Sequence, residues 1–212
     1  MPERESFIQE QFEDAPQQTE AAQLGMWTFL ATEVLFFGGF IASYAIYRHF
    51  YNTDFALGVR HTLLFFGTVN SVLLLTSGLT MALAVQAADE NRTKVIVPLL
   101  LVTIFLGLAF LVSKGFEYAA DLSDKVLPVY NFDPALPAHT ELFFWFYWGM
   151  TALHAIHLLV GIGLLSVMTV MAWRGKFSAK YYNPLEIVGL YWAFVDIVWI
   201  FLYPLLYLIG RY

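Results

Sequence analysis

Several acidic side chains of this chain lie inside or at the edge of long apolar runs, where they could do chemistry. These acids are Glu33, Glu117, Glu141 and Asp196. A carboxyl group in hydrocarbon is costly, so each of them needs a structural or functional reason. Two interpretations are open: a hydrogen bond between packed helices, or an acid that handles protons or faces lipid. For Asp196 we favour the structural role, whereas for Glu33 the residues alone favour neither.

Two histidines add a second candidate chemistry. His154 and His157 are three residues apart within one apolar run, which places both on one face of a helix. A pair on one face cannot bind the two sides of a haem, and no other apolar run carries a histidine at depth. We therefore interpret the pair as structural, bonding to neighbouring helices, rather than as a metal site. The chain has no cysteine, which excludes disulfides, iron–sulfur clusters and Cys-ligated metals.

The amino-acid composition predicts the kind of secondary structure that positions these residues. Of the 212 residues, 59% are hydrophobic and only 13% are charged, outside the range of ordinary soluble domains. A membrane-spanning helix needs about 20 apolar residues. Since no alternating barrel pattern occurs, the sequence predicts an all-α integral membrane protein, a bundle of five transmembrane helices. The spans lie at about 24–47, 63–87, 95–114, 141–172 and 185–209.

The number and distribution of charged residues bear on the partners and the orientation of the chain. Residues 1–23 form an acidic polar tail, and the net charge of −6 argues against a nucleic-acid partner. With five spans the termini face opposite sides. The side of the N-terminus collects six cations, five of them in two short loops, against five cations on the other side. This density predicts a cytoplasmic N-terminus and an external C-terminus.

Four motifs, in order along the chain, resemble one family. Residues 27–37 are similar to W-x-F-L-x-S/T-E-x-x-F-F, and residues 114–118 to K-G-x-E-Y. Residues 154–161 are similar to H-G-L-H-x-x-x-G; Glu186 followed by residues 191–199 resembles E…Y-W-H-F-V-D-V-V-W. These motifs belong to subunit III of haem–copper terminal oxidases, and the chain resembles its five-helix bacterial form. It departs from the pattern at Ala193, where the family commonly has His.

The resemblance implies an accessory subunit of a bacterial cytoplasmic-membrane oxidase without a catalytic centre or cofactor of its own. Haem and copper are then in partner subunits. The chain packs beside subunit I, in a complex with subunit II, binds phospholipid and supports proton uptake. By resemblance, Glu33 is the buried acid near lipid, Arg174 lies near lipid phosphate and Trp27 contacts lipid or an interface. The residues implied to stabilise the bundle or line its polar interior are His154, His157, Glu117, Glu186 and Asp196.

Other functions stay open. The opening at residues 24–33 favours a cytochrome c oxidase, with a quinol oxidase as the first alternative and a nitric oxide reductase-associated subunit as a weaker one. A stand-alone proton-coupled transporter could use Glu33 and Asp196 as a relay, although no inverted repeat or pair of broken helices is evident. The single-helix histidine pair argues against a membrane cytochrome.

Overall fold

The computed structural model describes residues 11–128, 131–178 and 181–211. Within these residues the chain forms six α-helices, a π-helical turn at Pro204–Leu208 and one small antiparallel hairpin. In the hairpin, β1 (Val126–Leu127) pairs with β2 (Asn131–Phe132), and Val126 is opposite Phe132. The helices are α1 Ala15–Phe50, α2 Asn52–His61, α3 Leu64–Asp89, α4 Thr93–Ser123, α5 Ala138–Trp173 and α6 Asn183–Tyr203.

Five of these helices are long and apolar enough to cross a membrane: α1, α3, α4, α5 and α6 with its π-helical turn. The predicted all-α bundle of five transmembrane helices is therefore confirmed. Helix α3 packs on α4, and α4 packs on α5. Helix α6 contacts α1, α3 and α5 and has a central position. Pro184 lies in the first turn of α6, as its missing N–H favours.

Two helices are longer than their predicted spans. Helix α1 begins at Ala15 rather than at residue 24, because Asp14 accepts a hydrogen bond from the Gln17 backbone N–H and caps the helix. Residues 1–10 of the predicted tail lie outside the described residues. Helix α4 continues past residue 114 to Ser123, because Glu117 and Asp121 are buried on its inner face. The predicted span ended at residue 114, with Glu117 at its edge, whereas the structure places both acids inside the bundle.

The short helix α2 was not predicted. It begins at Asn52, two residues after the end of α1, and buries Phe55 and Val59. It contacts α1, α5 and the π-helical turn, so it covers the end of the bundle that carries the C-terminus.

One tryptophan joins four helices in the core. Trp192 of α6 is fully buried, and its indole N–H donates to Ser77 Oγ of α3 at 3.1 Å. The ring lies between two glycines, Gly107 of α4 and Gly161 of α5. A Cβ atom on either glycine would be 3.0 Å from a carbon of the indole. Close packing at small residues is a usual way for membrane helices to associate.

Candidate functional site

The structure brings Glu33 and His157 together in the middle of the bundle. Glu33 lies halfway along α1 and His157 halfway along α5. Glu33 Oε2 is 3.1 Å from His157 Nε2. The two side chains are 19% and 17% exposed, so the pair is largely but not fully enclosed by protein. At about 1.5 Å per helical residue, Glu33 is about 27 Å from the first residue of α1. Both residues are therefore far from either end of their helices.

A second hydrogen bond holds the His157 ring in place. His157 Nδ1 is 2.8 Å from the carbonyl oxygen of Leu153. A carbonyl oxygen only accepts, so Nδ1 donates to it. Both ring nitrogens of His157 therefore have a partner, as polar groups in an apolar environment require.

Neighbouring aromatic residues orient this pair. The Phe37 ring meets the His157 ring edge-on, with 5.2 Å between centroids. The Tyr191 hydroxyl of α6 donates to the His157 carbonyl oxygen at 2.9 Å. The pair thus links α1 to α5 and, through the Tyr191 hydroxyl, to α6.

A second polar cluster lies toward the end of the bundle that carries the C-terminus. Lys114 Nζ donates to Glu117 Oε2 at 2.8 Å, to Tyr207 OH at 2.9 Å and to Tyr147 OH at 3.1 Å. Tyr207 OH donates to Glu117 Oε1 at 2.7 Å. All four side chains are at most 2% exposed. The cluster is a Lys114–Glu117 ion pair that is also hydrogen-bonded by two tyrosine hydroxyls. Such bonds are what allow a charge pair to be buried inside a membrane protein.

The sequence analysis missed two members of this cluster and misplaced a third. It counted Lys114 among the five cations on the side opposite the N-terminus, whereas the structure buries Lys114 inside the bundle. It assigned no role to Tyr147 or Tyr207. The spacing of Lys114 and Glu117, one helical turn apart in an apolar stretch, was the available signal for an ion pair.

Three of the residues implied to be structural lie elsewhere in the bundle. His154 is buried between Phe110 and Trp199, and neither ring nitrogen has a hydrogen-bond partner among the described residues. His157 thus hydrogen-bonds to a neighbouring helix through Glu33, whereas His154 makes no hydrogen bond through its ring among the described residues. Glu186 accepts a 3.3 Å bond from Gln23 of α1. Asp196 lies against Gly78 of α3, and its Oδ1 atom has no partner within the described chain.

The predicted lipid contacts lie apart from Glu33. Trp27 is 60% exposed on the outer surface of α1. Arg174 caps the end of α5 and, with Lys176, edges an otherwise apolar groove of about 400 Å³ that includes Val167, Val170 and Met171. Arg174 is 17 residues beyond His157, or about 25 Å along the helix. The structure thus separates a groove edged by cations at the end of α5 from the Glu33–His157 pair near the middle of that helix.

No cluster of three or more His, Cys, Asp or Glu side chains suited to a metal ion occurs in the described parts of the chain. The comparison with known families gives a single match over nearly the whole sequence: the model described as cytochrome c oxidase subunit III matches residues 4–211. The chain belongs to this family. Its five long apolar helices are consistent with the membrane helical fold of this family.

Relatives within the subunit III family carry two kinds of name. A cytochrome c oxidase subunit 3 from Alkalihalophilus pseudofirmus is 28% identical over 88% of this chain and 86% of its own length. A probable quinol oxidase subunit 3 from Staphylococcus haemolyticus is 30% identical over 89% of both chains. A probable cytochrome c oxidase subunit 3 from Rickettsia felis is 29% identical over 89% of this chain and 68% of that protein. The relatives therefore do not decide between the two electron donors.

Proposed function

We propose that the chain is the accessory, non-catalytic subunit III of a bacterial, proton-pumping cytochrome c oxidase. It packs beside subunit I, in a complex with subunit II, stabilises subunit I, binds phospholipid and supports proton uptake during oxygen reduction. The observation that carries the proposal is the match of residues 4–211 to the subunit III family. Haem and copper belong to the partner subunits. The quinol oxidase is the second candidate, because a relative of equal coverage is named as one.

The proposed support of proton uptake rests on the Glu33–His157 pair. The two side chains are hydrogen-bonded to each other near the middle of α1 and α5, and each is less than one-fifth exposed. A carboxyl that faced pure hydrocarbon without a partner would cost several kcal/mol, roughly 2.5–3.5 on insertion scales. The bond to His157 lowers this cost, and the role proposed for Glu33 is that of an acid that supports proton uptake.

The proposed lipid binding rests on the groove beside Arg174 and Lys176. The two cations suit a lipid phosphate, and the apolar groove on α5 suits an acyl chain. Half of a bilayer is about 20 Å thick including headgroups. A lipid with its phosphate at Arg174 therefore extends most of the way along α5 toward the level of His157.

Purification from the native membrane tests the proposed function. The tagged chain is isolated in mild detergent, its partners are identified by mass spectrometry, and a reduced-minus-oxidised haem spectrum is recorded. We expect a large histidine-rich subunit with a-type haem and a second subunit with copper-binding cysteines. The same catalytic subunit without those cysteines would identify a quinol oxidase. A chain that purifies alone, without haem, and conducts ions in liposomes would instead be a transporter.

A lipid measurement tests the groove. Replacing Arg174 and Lys176 together by Gln is expected to lower the number of phospholipids retained by the purified complex, counted by native mass spectrometry. Arg92→Gln together with Lys94→Gln removes the same charge from exposed residues at the same end of the bundle and serves as the control. Equal lipid retention in both variants would reject the groove as a lipid site.

A further inference from the structure

The buried ion pair lies close to the end of the bundle that carries the C-terminus. It belongs to the Lys114 cluster, which consists of Lys114, Glu117, Tyr147 and Tyr207. All four side chains are at most 2% exposed, although two of them carry charge and two carry hydroxyl groups. Water solvates such groups strongly. The part of the chain between the cluster and that end of the bundle therefore has to exclude water.

The short helix α2 and a layer of aromatic rings cover the cluster from this end. The Phe55 ring of α2 is fully buried, and its centroid is 5.9 Å from that of the Phe143 ring of α5. Phe143 in turn stacks on Tyr147, with 6.3 Å between the ring centroids. Gly58 lets the backbone of α2 lie directly on Phe143, because a Cβ atom at Gly58 would overlap the ring. Helix α2 thus rests on the ring that packs against the cluster.

Arg211 joins α2 to the π-helical turn that carries Tyr207. Its guanidinium donates to the backbone oxygens of Val59 and Thr62 at the C-terminal end of α2, and to Thr62 Oγ1 at 3.3 Å. Its Nε atom donates to the backbone oxygen of Tyr207 at 3.1 Å. A cation is favoured at the C-terminus of a helix, where carbonyl oxygens lack helical partners. One side chain therefore ties the covering helix to the element that supplies Tyr207 to the cluster.

Helix α1 holds this turn from another side. Arg48 Nη1 donates to the backbone oxygen of Ile209 at 2.8 Å. Gly210 has a φ of +92°, and a Cβ atom on it would be 2.6 Å from Arg48 Nη2, so the close approach needs a glycine. Because α1 fixes the turn, Arg211 has a firm support from which to hold α2.

We propose that α2 is a lid over the Lys114 cluster and that Arg211 is the latch that holds it closed. The closed lid keeps water, and the protons that water carries, away from the titratable groups of the cluster. Helix α2 has only 10 residues, fewer than the roughly 12–15 that an isolated helix needs for stability, so its structure depends on being docked. The lid and the latch belong to this chain alone, so we expect them in a cytochrome c oxidase and in a quinol oxidase alike.

Thiol labelling of the whole detergent-purified chain tests the lid, because the chain has no cysteine of its own. Thr140→Cys places a thiol under the lid, since Thr140 is fully buried and its Oγ1 donates to the backbone oxygen of Asp54 in α2 at 3.3 Å. Thr151→Cys places a thiol beside the cluster, because Thr151 is 1% exposed and its Oγ1 donates to the backbone oxygen of Tyr147. Ser123→Cys is exposed and reports access of the reagent.

Each cysteine is combined with Arg211→Gln, which removes the charge of the latch. Because hydrogen bonds from a charged donor are lost, we expect both buried cysteines to react about tenfold to a hundredfold faster. Arg60→Gln removes the same charge from an exposed position of α2 and is the matched control. We expect this control to leave the rates unchanged, and Ser123→Cys to react at one rate in every background.

Two outcomes would overturn the proposal. Equal labelling rates with Arg211→Gln and with Arg60→Gln would mean that Arg211 is not a latch. Faster labelling at Thr140→Cys alone would mean that α2 moves without admitting water to the cluster, and that it is not a lid.

Arg211→Lys replaces Arg211→Gln if the latter does not fold. The ammonium group keeps the charge but lacks the forked donors of a guanidinium, so we expect a smaller increase in labelling, and no increase would overturn the latch. None of these outcomes bears on the proposed function, which is read from the subunits that purify with the chain.

Discussion

At the scale of single residues, the hydrogen bond between Glu33 and His157 gives the clearest expectation. Glu33→Ala removes the partner of His157 Nε2, at a cost of about 1–3 kcal/mol for a buried unpaired group. We expect the variant oxidase to keep its haem content but to lose turnover faster than the wild type. Turnover is followed over time in preparations of equal lipid content.

The variant Glu33→Gln distinguishes a hydrogen-bonding role of Glu33 from a role in proton exchange. Its amide can donate to His157 Nε2 but cannot exchange a proton. If proton exchange matters, the Gln variant resembles the Ala variant; if only the bond matters, it resembles the wild type. A turnover lifetime of Glu33→Ala equal to that of the wild type would contradict the role of Glu33.

The buried ion pair gives a second prediction at this scale. Removing one partner of a buried pair typically costs about 3–5 kcal/mol, because the other charge is left uncompensated. We therefore expect Lys114→Met to destabilise the chain by about this amount, since Glu117 keeps only its bond from Tyr207. Thermal unfolding in detergent, followed by near-ultraviolet circular dichroism, measures the change.

The double variant Lys114→Met with Glu117→Met is the control for charge. It removes both charges and leaves Tyr147 and Tyr207 able to bond to each other, as their hydroxyls are 3.3 Å apart. We expect it to be more stable than either single variant. A double variant that is less stable than both would show that packing, and not charge compensation, dominates the cluster.

At the scale of the helices, Trp192 determines how closely α4, α5 and α6 approach. Gly161→Leu introduces a side chain 3.0 Å from the indole ring, which Gly107 contacts from the other side. Overpacking of this kind costs about 1–3 kcal/mol. We expect a lower unfolding temperature for this variant, measured on the detergent-purified chain.

Gly163→Leu is the matched control on the same helix. A Cβ atom at Gly163 has no neighbour within 4 Å, so the same change is expected to alter stability by less than about 0.5 kcal/mol. Similar losses in both variants would indicate that helix propensity, rather than contact with Trp192, is responsible.

At the scale of the whole molecule, the buried position of Lys114 bears on orientation. The sequence analysis counted six cations on the side of the N-terminus and five on the other. Lys114 is 2% exposed and paired with Glu117, so it belongs to neither surface, and four remain on the second side. The excess of six cations over four on the side of the N-terminus then favours a cytoplasmic N-terminus more strongly.

Labelling of a single introduced cysteine tests this orientation. The chain has no cysteine of its own, so only the introduced one can react. Glu90→Cys lies between α3 and α4, and Ser123→Cys lies at the other end of α4; both positions are exposed. With a membrane-impermeant maleimide on intact cells, we expect Ser123→Cys to be labelled and Glu90→Cys to react only after lysis. The reverse pattern would place the N-terminus outside.

The sequence by itself determined the number of membrane helices and the family. The thickness of a bilayer sets the length of an apolar run, so five runs predict five spans without any knowledge of packing. The motifs that carry the resemblance are local, and each is readable within about ten residues. The ends of the helices were less predictable, because the polar residues at Ala15–Gln23 and Gly115–Ser123 do not resemble membrane sequence although they continue α1 and α4.

Only the tertiary structure decided which polar groups are partners. Glu33 meets His157 across 124 positions, and Lys114 meets Tyr207 across 93. The apolar runs show no single polar face, because in a membrane both lipid and helix contacts are apolar. The rotation and crossing of the helices therefore fix which side chains meet. They pair Glu33 and Glu117 within the chain and place Asp196 against Gly78 of α3.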